Sequence, residues 1–200
     1  MNLTKKDIKE IKKNQIKKIH FNKGYFGSFY LISKDKGIKL VTNQDAHFRF
    51  HFDLEEFIPL TDIKIHGVSL PEEIGYDERG NFKGYTLPYF EGPNVPKALR
   101  KNKTVPWSTI DHYFDTLYDK IIDLTNHDVL IYDIQPHNII VSDNELKIID
   151  CDFFKFEKDT PKQVLYIENM FQLRLGIDRI KNKKLKEHVN IYFNKKRGTK

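Results

Sequence analysis

The chain has 200 residues, of which 39% are hydrophobic and 13% aromatic, and its formal net charge is +6. Such a chain can bury a real core as one domain or two small lobes, and its composition is typical of a folded protein. The single cysteine, Cys151, excludes an internal disulfide framework and a multi-cysteine zinc site. No apolar run reaches the roughly 18 residues of a membrane span and the first residues lack a signal-peptide apolar region, so we expect a cytoplasmic protein.

The excess of lysine is concentrated near the two ends of the chain, in KKDIKEIKKNQIKK and in KNKKLKEH and NKKRGTK. Basic ends of this kind suit nucleic acid or an acidic membrane, but solvated helix faces explain them more simply. The sequence has no recognisable DNA- or RNA-binding module, which disfavours nucleic-acid binding.

The first half of the chain is predicted to be mostly strands behind one helix. Residues 4–20 predict an amphipathic helix with Thr4 as a possible N-cap. The run FGSFYLISKDKGIKLVT predicts a β-hairpin, and HFRFHFDLEEFIPL predicts a short helix that ends near Pro59. The segments IKIHGVSLP (63–71) and FKGYTLPYF predict two further strands, with a turn at DERGN before the second, and EGPNVP predicts a linker.

The second half is predicted to be mostly helical. Apolar residues over 108–126 follow the i, i+3, i+4, i+7 spacing of an amphipathic helix, and two further helical segments cover about 162–180 and 182–194. Two short apolar strands, NIIV and LKIID, flank the polar turn SDNE and predict a small hairpin.

These elements predict an α+β fold in two lobes. An N-terminal amphipathic basic helix covers residues 1–20. A small lobe built on an antiparallel β-sheet covers 21–92, and a reduced, mostly helical lobe covers 93–200.

Acidic and amide side chains flank each strand of the hairpin in the second half. Asp133 and Asn138 stand at the first strand, and Asp150 and Asp152 at the second. A buried carboxylate is costly unless it is paired, hydrogen-bonded or bound to a metal. Ordinary turn chemistry explains such residues as well, so the pattern by itself is compatible with turns or with a magnesium site.

The run IYDIQPHNII resembles the catalytic loop H-R-D-x-x-x-x-N of the protein-kinase-like family. The resemblance makes Asp133 the catalytic aspartate, and Asn138 follows at the family's spacing of five. KIIDCD resembles the strand that ends in the metal-binding aspartate of D-F-G, which points to Asp150. The resemblance therefore implies ATP and Mg²⁺, with Asn138 and Asp150 as the metal ligands.

The N-terminal half offers the matching parts of that family in the same order. NKGYFGSFYL resembles the glycine-rich loop, in which Gly24 and Gly27 would let backbone N–H groups approach phosphate. GIKLV puts Lys39 in the place of the nucleotide-binding lysine. The family's helical partner of that lysine would be Glu56, with Glu55 as the alternative.

The run TLPYFEG resembles the hinge between the two kinase lobes. Leu87 would stand in the gatekeeper place beside the nucleotide. The carbonyl of Pro88 and the N–H of Phe90 would face adenine. All three assignments rest on the resemblance, which covers roughly residues 20–155.

The chain departs from the family at several places. Tyr132 replaces the arginine of H-R-D, and Gln135 stands where many protein kinases have a lysine close to the transferred phosphate. Cys151 and Asp152 replace the Phe-Gly of D-F-G, so Asp152 could add a second carboxylate near the metal. Only about fifty residues follow, too few for an activation segment and a substrate platform, and this resembles minimal atypical kinases such as compact bacterial effector kinases.

The leading prediction is an ATP- and Mg²⁺-dependent phosphotransferase that acts on a hydroxyl group, preferably a protein Ser/Thr. Its partners would be a protein substrate or regulatory protein, recruited by the part of the last two helices that is not used for the core. One alternative is a pseudokinase that acts as a protein-binding module. Others are a small-molecule kinase or a nucleotidyltransferase on the same fold.

Overall fold

The computed structural model describes residues 1–14, 27–41, 53–101 and 105–198. It confirms a mixed α+β class, because helices and small antiparallel sheets occur together. The chain forms two compact units. The first unit comprises Met1–Lys64, Ser69–Tyr89 and Cys151–Phe156, and the second comprises Ile65–Val68, Phe90–Asp150 and Glu157–Lys200.

The first unit is built on a four-stranded antiparallel sheet with short helices. In chain order its elements are α1 (Lys5–Asn14), β1 (Gly27–Leu31), β2 (Lys36–Val41), α2 (Leu54–Phe57), a 3₁₀ helix (Ile58–Asp62), β3 (Glu73–Tyr76), β4 (Phe82–Pro88) and β8 (Lys155–Phe156). The strand order is β1-β2-β4-β3. Buried aliphatic side chains of β2, including Ile38 and Leu40, form a core that Leu3 and α1 cover.

Helix α1 begins at a reciprocal capping arrangement. The Thr4 hydroxyl accepts a hydrogen bond from the Asp7 backbone N–H (3.2 Å), and the Asp7 carboxylate accepts one from the Thr4 backbone N–H (2.9 Å). The predicted N-cap and the predicted helix are therefore confirmed over residues 5–14. The remainder of that prediction, 15–20, lies outside the described residues, as does Gly24.

The sheet confirms the predicted hairpin and one of the two further strands. Strands β1 and β2 pair with Leu31 opposite Gly37, and β4 matches the strand predicted in FKGYTLPYF. The strand predicted over 63–71 is wrong, because the segment contributes only an isolated bridge from Val68. A positive φ at Gly67 turns the chain there, and the edge strand β3 begins later, at Glu73.

Helix α2 ends at Phe57, two residues before Pro59, so the prediction that it stops near Pro59 is confirmed. Residues 47–52 of the predicted segment lie outside the described residues. The Asp53 carboxylate accepts a hydrogen bond from the Glu55 N–H at 2.8 Å. The chain then continues into the 3₁₀ helix with Pro59 in its first turn, a position at which proline costs no intrahelical hydrogen bond.

The second unit is mostly helical around one small hairpin. Its elements are α3 (Val95–Lys101), α4 (Trp107–Asn126), β5 (Val129–Leu130), a 3₁₀ turn (Pro136–Asn138), β6 (Ile139–Ser142), β7 (Glu145–Ile148), α5 (Lys162–Asp178) and α6 (Lys183–Gly198). The long helix and the two C-terminal helices were all predicted. The linker predicted in EGPNVP is only partly right, since Pro96 stands in the first turn of α3.

The hairpin β6–β7 turns through two residues in the left-handed conformation. Ser142 pairs with Glu145, and Asp143 and Asn144 between them have φ values of 53° and 60°. Two successive positive φ values are the signature of a type I′ turn, in which Asp and Asn are favoured. The hairpin that NIIV-SDNE-LKIID predicts is therefore confirmed.

The C-terminal helices divide their apolar side chains between core and surface. The core side of these helices includes six buried apolar residues, namely Leu165, Met170, Leu173, Ile177, Leu185 and Val189. Phe171 is 54% exposed, and Val164 and Ile167 are exposed on the same face of α5. None of the helices within the described ranges has the length and apolar character that crossing a membrane requires.

Candidate functional site

The loop from Ile131 to Asn138 holds Asp133 in a conformation that most residues avoid. Asp133 has a φ of 56°, in the left-handed region, which Asp and Asn tolerate better than other non-glycine residues. Before it, the Ile131 N–H donates to the side-chain oxygen of Asn169 at 2.9 Å. After it, the 3₁₀ turn Pro136–Asn138 leads into β6. The backbone on both sides of Asp133 is thus fixed by hydrogen bonds.

Three side chains converge on the Asp133 carboxylate. The Gln135 amide donates to Oδ1. The Asn138 amide lies 3.4 Å from Oδ2 and donates to the Asp133 backbone carbonyl at 3.1 Å. Arg179 forms an ion pair with Oδ1 at 3.2 Å, and the Asp133 side chain stays 36% exposed. The carboxylate is therefore oriented by its neighbours and still open to solvent.

Helix α5 supports this loop from one side. The fully buried Asn169 uses its amide to bind the Thr125 hydroxyl (2.8 Å) and the Val129 carbonyl (2.9 Å) as well as Ile131. Two turns later, Gly176 packs so closely that an added Cβ would collide with the Ile134 carbonyl oxygen. One turn further, past the helix end, is Arg179. Asn169, Gly176 and Arg179 are seven and then three residues apart, and this spacing places them on the same side of the helix.

Asn138 and Asp150 are brought close by the hairpin. The Ile149 N–H donates to the Asn138 carbonyl at 2.9 Å, which extends the β6–β7 ladder by one step. Asp150 follows directly and has a φ of 62°, while Asn138 is buried. Asp133, Asn138 and Asp150 thus lie on one loop and the hairpin that follows it.

The residues at this position suit Mg²⁺. Within the described ranges no group of three or more His, Cys, Asp or Glu side chains stands together as a metal-binding cluster. A carboxylate from Asp150 and an amide oxygen from Asn138 are nevertheless the hard oxygen ligands that Mg²⁺ takes when phosphates and waters complete its shell. The donor set therefore fits a nucleotide-bound magnesium better than a metal held by protein alone.

The first unit contains a second cluster, around Lys39. The Lys39 ammonium on β2 forms an ion pair with the Asp152 carboxylate, which also accepts a hydrogen bond from the Tyr85 hydroxyl. All three residues are buried, and Phe57 contacts the Tyr85 ring edge-on at 5.0 Å between ring centres. A charged pair is tolerated in such surroundings because the carboxylate has two donors.

The acidic residues proposed for Lys39 and for the metal have different partners in the structure. Glu56 forms an ion pair with Lys155 at 2.5 Å. Asp152 binds Lys39 and Tyr85, and its place as a second carboxylate near the metal stays a prediction. A direct contact of Lys39 with Glu56 or Glu55 stays a prediction, and Asp152 is the carboxylate that fixes the Lys39 ammonium.

The remaining site residues have local structural surroundings. Gly27 starts β1, where a Cβ would collide with the Leu40 carbonyl oxygen, so the sheet itself needs glycine there. Leu87 is buried in β4. The Pro88 carbonyl accepts a hydrogen bond from the Ser69 hydroxyl at 2.6 Å. Phe90 has the Lys147 ammonium 5.0 Å from its ring centre. Their proposed contacts with a nucleotide stay predictions.

Sequence reasoning missed Arg179, Asn169 and Tyr85. Arg179 lies 46 residues from Asp133 and Tyr85 lies 67 from Asp152, and neither stands in a motif. A polar Asn169 between the apolar Leu165 and Met170 in a helix was the one visible signal, since an amide on a buried face needs partners.

No protein-family model matches this chain, and no curated protein matches it either. The geometry around Asp133 and Lys39 and the resemblance of the motifs are therefore the grounds for assigning a function.

Proposed function

We propose that the chain is an ATP- and Mg²⁺-dependent phosphotransferase with a reduced protein-kinase-like fold, acting on a hydroxyl group. The observation that carries the proposal is the arrangement of Asp133, Asn138 and Asp150. A half-exposed carboxylate is held in a left-handed conformation beside a buried amide, and a hairpin supplies the second carboxylate next to that amide. A left-handed aspartate alone is common in turns, but one whose carboxylate also has several polar neighbours favours a functional site.

In the proposed reaction, Asp133 orients the acceptor hydroxyl and receives its proton. The acceptor oxygen forms a bond to the γ-phosphorus of ATP, the bond to the bridging oxygen breaks, and ADP leaves. Asn138 and Asp150 would hold Mg²⁺, which offsets the negative charge of the phosphates. This division of roles predicts that Asp133 affects transfer and Asp150 affects nucleotide binding.

Lys39 is the proposed ligand of the nucleotide phosphates. Its ammonium donates to Asp152, and the compact positive charge of a lysine suits the oxygens of a phosphate. Asp152 and Tyr85 together fix the position of the Lys39 side chain. In protein kinases, a glutamate on a helix positions the corresponding lysine. The buried four-stranded sheet that carries Lys39 supports this assignment.

The acceptor class that the site favours is a neutral or acidic hydroxyl compound, with a protein Ser/Thr as the leading case. Arg179 places a cation 3.2 Å from the Asp133 carboxylate. This ion pair carries no net negative charge that would attract an ammonium-bearing small molecule, and it is compatible with a peptide hydroxyl or an anionic acceptor. A protein-binding pseudokinase is the second candidate, favoured by the fact that Asp133 and Lys39 both have partners of opposite charge in the structure.

Incubation with γ-labelled or α-labelled ATP, Mg²⁺ and a mixture of acceptor proteins tests the proposal. We expect label to arrive from the γ position and Asp133→Ala to abolish its transfer with ATP binding retained. Asp150→Asn should remove the Mg²⁺-dependent thermal shift that ATP produces. Asp143→Asn is the matched control, since Asp143 is another left-handed aspartate of the hairpin but its carboxylate pairs with Lys147.

Each alternative gives a different result in this experiment. Label that arrives only from the α position identifies a nucleotidyltransferase. ATP binding without transfer to any acceptor favours the pseudokinase. An Asp133→Ala variant with full activity contradicts the role of Asp133.

A further inference from the structure

Arg179 is a charged residue at the site that no sequence motif predicts. It forms the C-cap of α5, where its backbone N–H donates to the Gly176 carbonyl at 3.2 Å, so its main chain is fixed. Its guanidinium Nη1 lies 3.2 Å from Asp133 Oδ1, and half of its side chain (50%) is exposed. The group is thus anchored at its base and accessible at its tip.

The contact depends on an unusually close approach of α5 to the loop. Gly176 touches the Ile134 backbone without room for a Cβ, and Asn169 fastens the same helix to Ile131. Both contacts are made to residues that lie within two positions of Asp133. An ion pair on the surface can form without close helix packing. Here the packing of α5 against the loop fixes the position from which the Arg179 side chain reaches the Asp133 carboxylate.

The reaction geometry brings a phosphate to the same place. An acceptor hydroxyl that gives its proton to Asp133 lies about 3 Å from the carboxylate, and the phosphorus lies about 3 to 3.5 Å beyond it. The oxygens of the transferred group therefore fall within about 6 Å of Asp133. A guanidinium that already touches this carboxylate can reach them, and its planar fork of donors matches a phosphate.

The charges near Asp133 favour a cation at this place. A carboxylate beside a transferring phosphate adds repulsion between like charges. The side chain two residues after Asp133 is Gln135, a neutral amide that donates to Asp133 and cannot offset the phosphate charge. Arg179 is the cation that the structure shows in contact with this carboxylate.

We propose that Arg179 is a catalytic residue that binds the transferred phosphoryl group beside Asp133 and stabilises its charge in the transition state. This rests on the proposed function and adds a residue to it. Arg179 would turn from Oδ1 toward the phosphate when ATP and acceptor are bound, leaving Gln135 and Asn138 to orient Asp133. An arginine in this role acts mainly on the rate of transfer and little on the binding of ATP.

The experiment compares Arg179→Gln and Arg179→Lys with the wild-type chain in steady-state phosphoryl transfer. Arg174→Gln is the matched control, because Arg174 is on the same helix but pairs with Asp178. We expect Arg179→Gln to lower kcat by roughly 10- to 100-fold with KM for ATP changed less than about threefold. Arg179→Lys should recover part of the loss, and Arg174→Gln should match the wild type.

Two further measurements separate a catalytic role from a structural one. Millimolar guanidinium should restore activity to Arg179→Ala, which a misfolded variant would not show. Binding of Mg²⁺, ADP and aluminium fluoride, which mimic the transferring phosphate, should weaken in Arg179→Gln, while binding of ADP and Mg²⁺ should not change.

The outcomes distinguish this inference from the proposed function. A folded Arg179→Gln variant with wild-type or higher kcat overturns the inference and leaves the proposed function standing, and a higher kcat would mean that Arg179 restrains Asp133. A wild-type chain that transfers no phosphate overturns the proposed function and the inference with it. A loss of kcat that guanidinium does not restore, with unchanged aluminium fluoride binding, also contradicts the inference.

Discussion

Asp133 and Asp152 are both aspartates with a basic partner, but their surroundings differ in almost every respect. Asp152 is 3% exposed, accepts from Lys39 and Tyr85, and has no positive φ. Asp133 has 36% of its side chain exposed, pairs with the half-exposed Arg179, and has a left-handed backbone. The first arrangement is typical of a carboxylate that fixes another group. The second is typical of a carboxylate kept available to a ligand.

The difference shows that aspartates in similar sequence surroundings can have different roles. A buried charge lowers the stability of the fold unless its hydrogen-bond donors are in place. Loss of Lys39 or Tyr85 would therefore leave the buried Asp152 carboxylate uncompensated. Exposure makes the Asp133 ion pair weak and exchangeable, because water screens it. A site that must bind and release an acceptor needs the second kind of carboxylate.

The largest effect expected from this comparison is on stability at Asp152. Asp152→Ala removes a carboxylate from the buried Lys39 ammonium, and we expect a loss of about 3 kcal/mol in the free energy of unfolding. Urea unfolding followed by circular dichroism measures it. Replacing both charges, as Lys39→Met with Asp152→Leu, should recover much of the loss, since the uncompensated charge is then gone.

The control for this prediction is an exposed pair. Asp178→Ala breaks ion pairs with Arg174 and Lys186 that are open to solvent, and should cost much less than Asp152→Ala. Equal costs for Asp152→Ala and Asp178→Ala would show that burial does not distinguish the two kinds of carboxylate.

The parts of the fold that sequence predicts well are those decided by neighbours in the chain. The hairpin at Asp143 and Asn144 follows from turn residues between two apolar strands, and α1 follows from its cap at Thr4. The close placement of Asn138 and Asp150 follows from that hairpin. These features need no information from distant residues.

The features that sequence does not predict depend on distant residues. Asp152 is 113 positions from Lys39, and no periodicity links the two. Glu56 pairs with Lys155, which is also distant along the chain. The strand expected over 63–71 is replaced by β3, because pairing with β4 decides which residues form the edge of the sheet. Contacts between residues that are distant in the sequence determine these ion pairs and the position of the edge strand.

A third carboxylate, Glu145, has intermediate burial and predicts a dependence of stability on pH. Burial acts to raise the pKa of the Glu145 carboxyl, but the hydrogen bond and the charge of Lys120, with His66, hold that pKa below its usual value. The Lys120 ammonium lies 2.7 Å away. A lowered folded-state pKa gives stability above the unfolded pKa of 4.5, which is lost as pH falls through the folded pKa.

The measurement is urea unfolding of the wild type and Glu145→Gln at pH 7, 5, 4 and 3. We expect the wild type to be more stable at pH 7 by about 1 kcal/mol and the difference to shrink below about pH 4.5. Glu187→Gln, at an exposed pair with Lys183, is the control and should show little difference at any pH. A Glu145→Gln deficit that is the same at pH 7 and pH 3 contradicts the assignment.

The smallest expected effect is a difference in stability between glycine and alanine variants, which depends on the backbone φ of Asp133 and Asp152. Both Asp133→Ala and Asp133→Gly lose the side-chain contacts, but only alanine keeps a Cβ in the left-handed conformation. We therefore expect Asp133→Gly to be more stable than Asp133→Ala by about 1 kcal/mol. At Asp152, where φ is not positive, glycine should be no more stable than alanine, because it adds only chain entropy to the unfolded state. Thermal unfolding of the four variants gives both differences. A glycine advantage at both positions, or at neither, would mean that strain is not what distinguishes Asp133, and the argument that its backbone is held for function would fail.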